Sequence, residues 1–253
     1  MHKRDITIVM ATSVIIDHPS TTMINQTISD IRSHFPDNEI IMQIDGLREE
    51  QQDRKKDYDE YKNRILWKCL HEDKNILPFV FKEHSHQTNM MRQTINEIKT
   101  PLLLYVEGDA PLTPDVFIDW DKCLDMFEYN KANTIRFHFE SHIPKDHEHL
   151  MLGIEDGFMK TMQWSQRPHL SRKKYYKDIV LPMCKDKFFI EDTFHGAIQD
   201  DISPYEVFNQ EGWEKHKLWI YHPEGSIKRS YHLDGRQGTR KFTIDDEVWG
   251  YKE

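Results

Sequence analysis

The sequence predicts an α/β fold in a single domain, with a mostly parallel sheet flanked by helices and a less regular C-terminal half. Two observations carry this. Four short aliphatic runs, at residues 6–11, 40–44, 76–81 and 102–106, alternate with stretches of helical apolar spacing through about residue 110, the pattern of a sheet with helical crossovers. The chain has 253 residues, 38% hydrophobic and 11% aromatic, enough for a sizeable core and against a disordered or fibrous class.

Ile6, Ile8 and Val9 open the first strand, bounded by polar residues and suited to burial on both faces. Ser20 can cap a helix in which Met23, Ile24, Thr27, Ile28 and Ile31 form one apolar face. A turn at Pro36-Asp37-Asn38 leads into a second strand ending on Asp45-Gly46. Tyr58, Tyr61, Ile65 and Cys69 stripe a charged helix over about residues 49–71. After the strand at 76–81, Met90, Met91, Ile95 and Ile98 mark a helix stopped by Thr100-Pro101. Residues 102–106 are the most apolar strand. Beyond them a helix around Val116 to Phe127 and a strand at 134–139 are followed by weaker signals: strands near 158–164 and 218–221, a helix near 171–183, and a polar tail after Asp234 that reads as a loop able to close over a ligand.

Lys and Arg number 34 against 43 Asp and Glu, a net charge of -9, which disfavours broad attraction to nucleic-acid backbones while leaving room for a local basic patch. Cys69, Cys123 and Cys184 lack any CxxC spacing and read as reduced core thiols rather than a zinc or disulfide framework. No apolar stretch approaches a membrane span, and the N-terminus lacks a signal-peptide core, so a cytoplasmic protein is expected.

Glu107-Gly108-Asp109 ends the most apolar strand, at the edge where parallel sheets bind ligands. Two carboxylates separated by a glycine suit a hard cation such as Mn²⁺ or Mg²⁺, which keeps positions open for substrate phosphates. An isolated ExD triplet is more often a solvated loop.

Its context differs. The order of strand, acidic Asp45 turn, helix, basic Arg92 helix, strand and ExD resembles the GT-A glycosyltransferases, especially the family-2-like members, over most of the chain. The resemblance implies a GT-A, Rossmann-like fold with residues 1–110 as nucleotide-sugar half and 111–253 as acceptor half. It implies donor contacts from Ala11 and Thr12 after the first strand, from Asp45, Arg92 and Glu107, and from Arg229 and Arg236 near the end. Glu107 and Asp109 would hold the metal with a late histidine, His232 fitting the spacing better than His222. Phe188 to Phe194 resembles the apolar strand that delivers the catalytic base, with Asp192 in that place and Glu191 beside it; a helix N-terminus is the structural alternative. Trp164 and Arg167 open a basic, aromatic segment on the acceptor side, which could equally be a solvated helix face.

The implied activity is metal-dependent hexosyl or pentosyl transfer from a nucleotide-diphosphate sugar, UDP-linked by preference, to a glycan or to a hydroxymethylated DNA base. A nucleotidyltransferase is the alternative within the same fold, although residues 12–17 lack its glycines and basic side chains. A non-catalytic sugar- or nucleotide-binding module is the third.

Overall fold

The computed structural model describes residues 1–138, 143–223 and 227–233. One nine-stranded sheet runs in the order β3-β2-β1-β4-β8-β5-β9-β7-β6. Its first four strands are β1 (Ile6–Thr12), β2 (Ile40–Ile44), β3 (Ile76–Val80) and β4 (Leu102–Glu107), all mutually parallel. The connecting helices are α1 (Thr22–His34), α2 (Lys55–His71) and α3 (His86–Thr94). The expected apolar faces are the buried ones: Met23, Ile24, Thr27, Ile28 and Ile31 on α1, and Tyr58, Tyr61, Ile65 and Cys69 on α2. Pro78 sits in β3 at the sheet edge, where its missing N–H costs no central ladder bond.

Beyond β4 (Leu102–Glu107) the sheet becomes mixed. α4 (Trp120–Glu128) precedes β5 (Thr134–Phe137), and β6 (Met151–Glu155) and β7 (Phe158–Thr161) form an antiparallel edge pair. β8 (His169–Arg172) inserts antiparallel between β4 and β5, and β9 (Leu218–Tyr221) runs parallel to β5. α5 (Ile190–Ile202) and α6 (Gln210–His216) complete this half.

Several expectations shift here. The helix over 49–71 begins as a 3₁₀ turn, Glu49–Arg54, before α2. The helix sought from 116 starts at Trp120, because the Asp119 carboxylate accepts from Lys122 N at 3.0 Å and caps it. The helix near 171–183 is a strand through Arg172 followed by short helical turns over Lys173–Met183, with a π turn at Tyr176–Val180. The apolar strand at 188–194 is instead the start of α5, whose buried residues Ile190, Phe194, Ile198 and Ile202 recur every fourth position.

β2 and β4 flank β1 on opposite sides, so the strand order reverses at β1. A crevice therefore opens at the carboxyl ends of β1 and β4.

Candidate functional site

That crevice is a cavity of about 600 Å³. Ala11 and Thr12 leave β1 into it, and Glu107, Gly108 and Asp109 leave β4 beside them. Gly108 N donates to Ala11 O at 2.8 Å, and Thr27 of α1 donates to Gly108 O at 2.7 Å. A β-carbon on Gly108 would lie 3.2 Å from Ile24 Cδ1 and 3.3 Å from Ala11 O, so the turn between the two carboxylates is held tightly to α1 and β1. On the far wall His18 stacks on Tyr61, ring centroids 3.8 Å apart, and Tyr61 shares a 2.9 Å hydrogen bond with Thr12. Burial, then the Arg54 charge, pushes the His18 pKa down to about 3, so the ring is neutral; its Nδ1 accepts from Ile15 N at 3.3 Å.

Asp45 lines the cavity, yet its carboxylate is engaged by the backbone. It accepts from Gly46 N at 2.8 Å, Ser85 N at 2.7 Å and His86 N at 3.0 Å, and pairs with His84 Nδ1 at 2.9 Å. Gly46 is required: a β-carbon there would fall 2.2 Å from the Glu83 carbonyl carbon. His86 is held at φ 62°, a left-handed conformation costly for a non-glycine residue. The clamp fixes the entrance to α3, and the next residue, Gln87, donates to Glu107 Oε1.

Burial raises the Glu107 pKa well above the usual carboxylate range, the Asp109 charge adds to it, and the Gln87 hydrogen bond opposes it; Glu191 raises it further and Arg167 lowers it. Crowded oxygen donors at a strand end match a hard divalent cation in chemistry. Among the described residues no three His, Cys, Asp or Glu side chains are gathered closely enough to hold a metal by themselves. His232 reaches the same place because its segment zips along the chain after β4, with Tyr231 N donating to Pro111 O at 3.2 Å and Leu233 N to Asp109 O at 2.8 Å. His232 Nε2 meets the Arg167 guanidinium.

A second cavity of about 460 Å³ adjoins the first, and Glu107, Phe189 and His232 line both. Arg167, Glu191 and Asp192 belong to the second, together with Arg136, His138, His147 and Gln163. Glu191 and Asp192 lie in the first turn of α5, Asp192 exposed and Glu191 accepting from Gln166 N at 2.8 Å. The helix-terminus alternative and the cavity location thus hold together.

Three expected site residues are elsewhere. Arg92 donates to Leu181 O at 2.8 Å and Cys184 O at 2.6 Å and pairs with Asp186, tying α3 to the turns before α5. Arg229 is 4% exposed, stacked over Tyr221 and bonded to Ile227 O. Trp164 is a core residue, edge-on to His169, Tyr176 and Phe194. None of the three lines either cavity. His222 is likewise absent from the walls, whereas His232 lines both cavities. Arg236 and the tail after 233 lie outside the described residues. Sequence reasoning missed Gln87, His18, Arg48 and Arg54 in the first cavity and Arg136 in the second. Arg136 carried a signal, a lone charge inside the strand Thr-Ile-Arg-Phe.

No protein-family model matches the sequence, and no curated protein matches it. Solved structures do. The chain is similar to Staphylococcus aureus TarS (residues 1–349, in complex with UDP-GlcNAc), at 9% identity and TM-score 0.53, covering 96% of this chain and 64% of that one. It is similar to the mannosyltransferase PcManGT of Pyrobaculum calidifontis in complex with GDP-Man and Mn²⁺, at 9% identity and TM-score 0.52, covering 93% and 58%. A third likeness is to 4-diphosphocytidyl-2C-methyl-D-erythritol synthase of Anaerococcus prevotii, at 13% identity and TM-score 0.50, covering 98% and 96%. The chain thus spans less than two thirds of the length of the two transferases. The fold is that of the GT-A glycosyltransferases and their α/β neighbours.

Proposed function

We propose that the protein is a glycosyltransferase that moves a sugar from a nucleotide-diphosphate donor to an acceptor hydroxyl with the help of a divalent cation. The observation that carries this is the junction of two cavities at Glu107: one at the carboxyl ends of the parallel strands, the other containing the α5 carboxylates. The first has the size and place of a nucleotide-sugar site, with Ala11, Thr12 and the His18-Tyr61 wall beside it. The donors present fit a hard cation in part: Glu107 and Asp109, with His232 adjacent, would hold it, and diphosphate oxygens would complete its shell. When bound, such an ion neutralises charge developing on the departing diphosphate. Gln87 orients Glu107. Asp192 serves as the base that takes the acceptor proton, with Glu191 turned toward Gln166. TarS and PcManGT, the similar structures bound to UDP-GlcNAc and GDP-Man, support a nucleotide-sugar donor, and the Mn²⁺ in the latter supports a divalent metal.

A second function, nucleotidyl transfer, is favoured by one observation, the near end-to-end likeness to the Anaerococcus prevotii synthase. The products separate the two. A panel of nucleotide sugars with and without Mn²⁺ is expected to yield one donor that raises the melting temperature and is slowly hydrolysed to a nucleoside diphosphate, since a ligand binding only the native state stabilises it. Pyrophosphate released from a nucleoside triphosphate would point to the synthase chemistry instead.

A further inference from the structure

The second cavity has a wall that sugar transfer as such does not need. Arg136 is the third residue of β5 (Thr134–Phe137), in register with His169 of β8 and Ile220 of β9, and only 4% exposed. Such central-strand positions are ordinarily apolar, because burying a guanidinium costs several kcal/mol before compensation. Here the side chain faces a cavity. Its Nη2 donates to Gln163 Oε1 at 2.9 Å, and Gln163 Nε2 lies 3.5 Å from His147 Nδ1. Arg136, Gln163, His147 and His138 form one wall, with Arg167 near Glu107. The field of Arg136 extends behind that wall: after burial, it helps to hold the pKa of both His169 and His195 below the ordinary value. Glu191 and Asp192 are on the side of α5. Among the described residues the only phenylalanine, tyrosine or tryptophan on the cavity wall is Phe189, because Trp164 is buried in the core. A platform for stacking a neutral sugar is therefore slight, whereas planar guanidinium forks match carboxylate and phosphate oxygens.

The geometry points to an anionic acceptor: the second cavity takes a small hydroxylated molecule bearing a phosphate or carboxylate, which Arg136 and Arg167 hold while its hydroxyl faces Asp192. A volume of about 460 Å³ accommodates one sugar-sized unit. The inference rests on the transferase assignment. In the transfer the acceptor oxygen bonds to the anomeric carbon and the bond from that carbon to the diphosphate oxygen breaks. The bonding pair leaves on the diphosphate, and the hydroxyl proton passes to the Asp192 carboxylate. The anionic group takes no part in these bond changes and selects which hydroxyl arrives.

The test is a calorimetric titration of the protein with its donor cavity saturated by a nucleoside diphosphate and Mn²⁺. Inorganic phosphate and glucuronate are expected to bind and glucose not, and Arg136→Gln should weaken both anions by about tenfold to a hundredfold. Arg167→Gln should do the same, and it replaces the first variant should that one fail to fold. Anion affinity unchanged in the variants, absence of anion binding, or glucose binding as well as glucuronate would each overturn the inference. If no nucleoside diphosphate binds, the donor assignment fails by itself; the Arg136→Gln comparison with phosphate then still reads the second cavity directly.

Discussion

The two cavities are made differently. The first is floored by strand ends and by backbone: β1 and β4 end side by side, Gly108 is pinned to Ala11 and Thr27, and Asp45 spends its carboxylate on the amides of Gly46, Ser85 and His86. The second is walled by side chains from segments distant in sequence, Arg136 on β5, Gln163 and Arg167 between β7 and β8, and Glu191 and Asp192 on α5. A wall of backbone follows from the fold, so it serves any chain with this topology. A wall of side chains depends on which residues the chain carries there, so under the proposed transferase function acceptor choice is assigned to it.

The sharpest way to break this comparison is to remove one group from each side of the junction. Glu107→Ala or Asp109→Ala is expected to lower Mn²⁺-dependent donor hydrolysis by about a thousandfold or more, since charge stabilisation of the leaving group amounts to several kcal/mol. Nucleoside diphosphate release measured with and without chelator reads it; activity that survives in both variants and in chelator would remove the cation from the mechanism. Asp192→Asn is expected to cost about a hundredfold or more in transfer while the donor still raises the melting temperature. Transfer at the parental rate would show that Asp192 is not the base.

A smaller effect tests the backbone construction of the first cavity. Gly46→Ala places a β-carbon 2.2 Å from the Glu83 carbonyl carbon, so the loop leading to His86 must move, at a cost of about 1–3 kcal/mol. Because that loop aims Gln87 at Glu107, donor affinity should fall together with the urea midpoint. A loss of stability with donor affinity intact would separate the clamp from the carboxylate.

Legibility in the sequence follows the same division. β1, β2 and β4 and the buried faces of α1 and α2 were readable because doubly buried strands are continuous aliphatic runs and helices repeat their apolar residues every three to four positions. Glu107, Asp109 and Asp192 were readable as to place, since each sits at an element end facing a cavity. Arg92, Arg229 and Trp164 line neither cavity, and the sequence does not show this for one physical reason: residue type does not say whether a long side chain turns toward a cavity or into the packing between elements. β8 escaped because its partners, β4 and β5, are far along the chain; β6, the hairpin neighbour of β7, escaped because it is short and mostly exposed, and the start of α5 because a short apolar run reads equally as a strand. β8 is only four residues, His169–Arg172, and is a strand because β4 and β5 pair with it on both sides.

Acid should expose both halves alike. His18 beside the first cavity and His169 beside the second are neutral in the folded protein, their pKa values lowered mainly by burial to about 3 and about 4. A folded pKa below the unfolded value near ~6.5 makes protonation favour the unfolded chain, so this stability is fully present above that pH and declines below it. The decline should approach about 1.4 kcal/mol per pH unit for each histidine down to about pH 4. Urea midpoints at pH 7, 6 and 5 check this, and a flat series would contradict the burial of both rings.

The smallest expected effect on function belongs to Arg92→Ala. Its guanidinium donates to Leu181 O and Cys184 O and pairs with Asp186, so it fastens α3 to the segment that leads into α5. Asp186 is largely exposed, and an ion pair in water adds little; the two hydrogen bonds to backbone carbonyls account for most of an expected loss of about 1–2 kcal/mol. Donor affinity should stay within about twofold, because the side chain lines neither cavity. The discriminating measurement is the donor-induced rise in melting temperature, taken relative to each protein's own baseline. Were that rise abolished while the baseline barely moved, Arg92 would have to reach the nucleotide, and the segment through Leu181 and Cys184 would have to release it on binding.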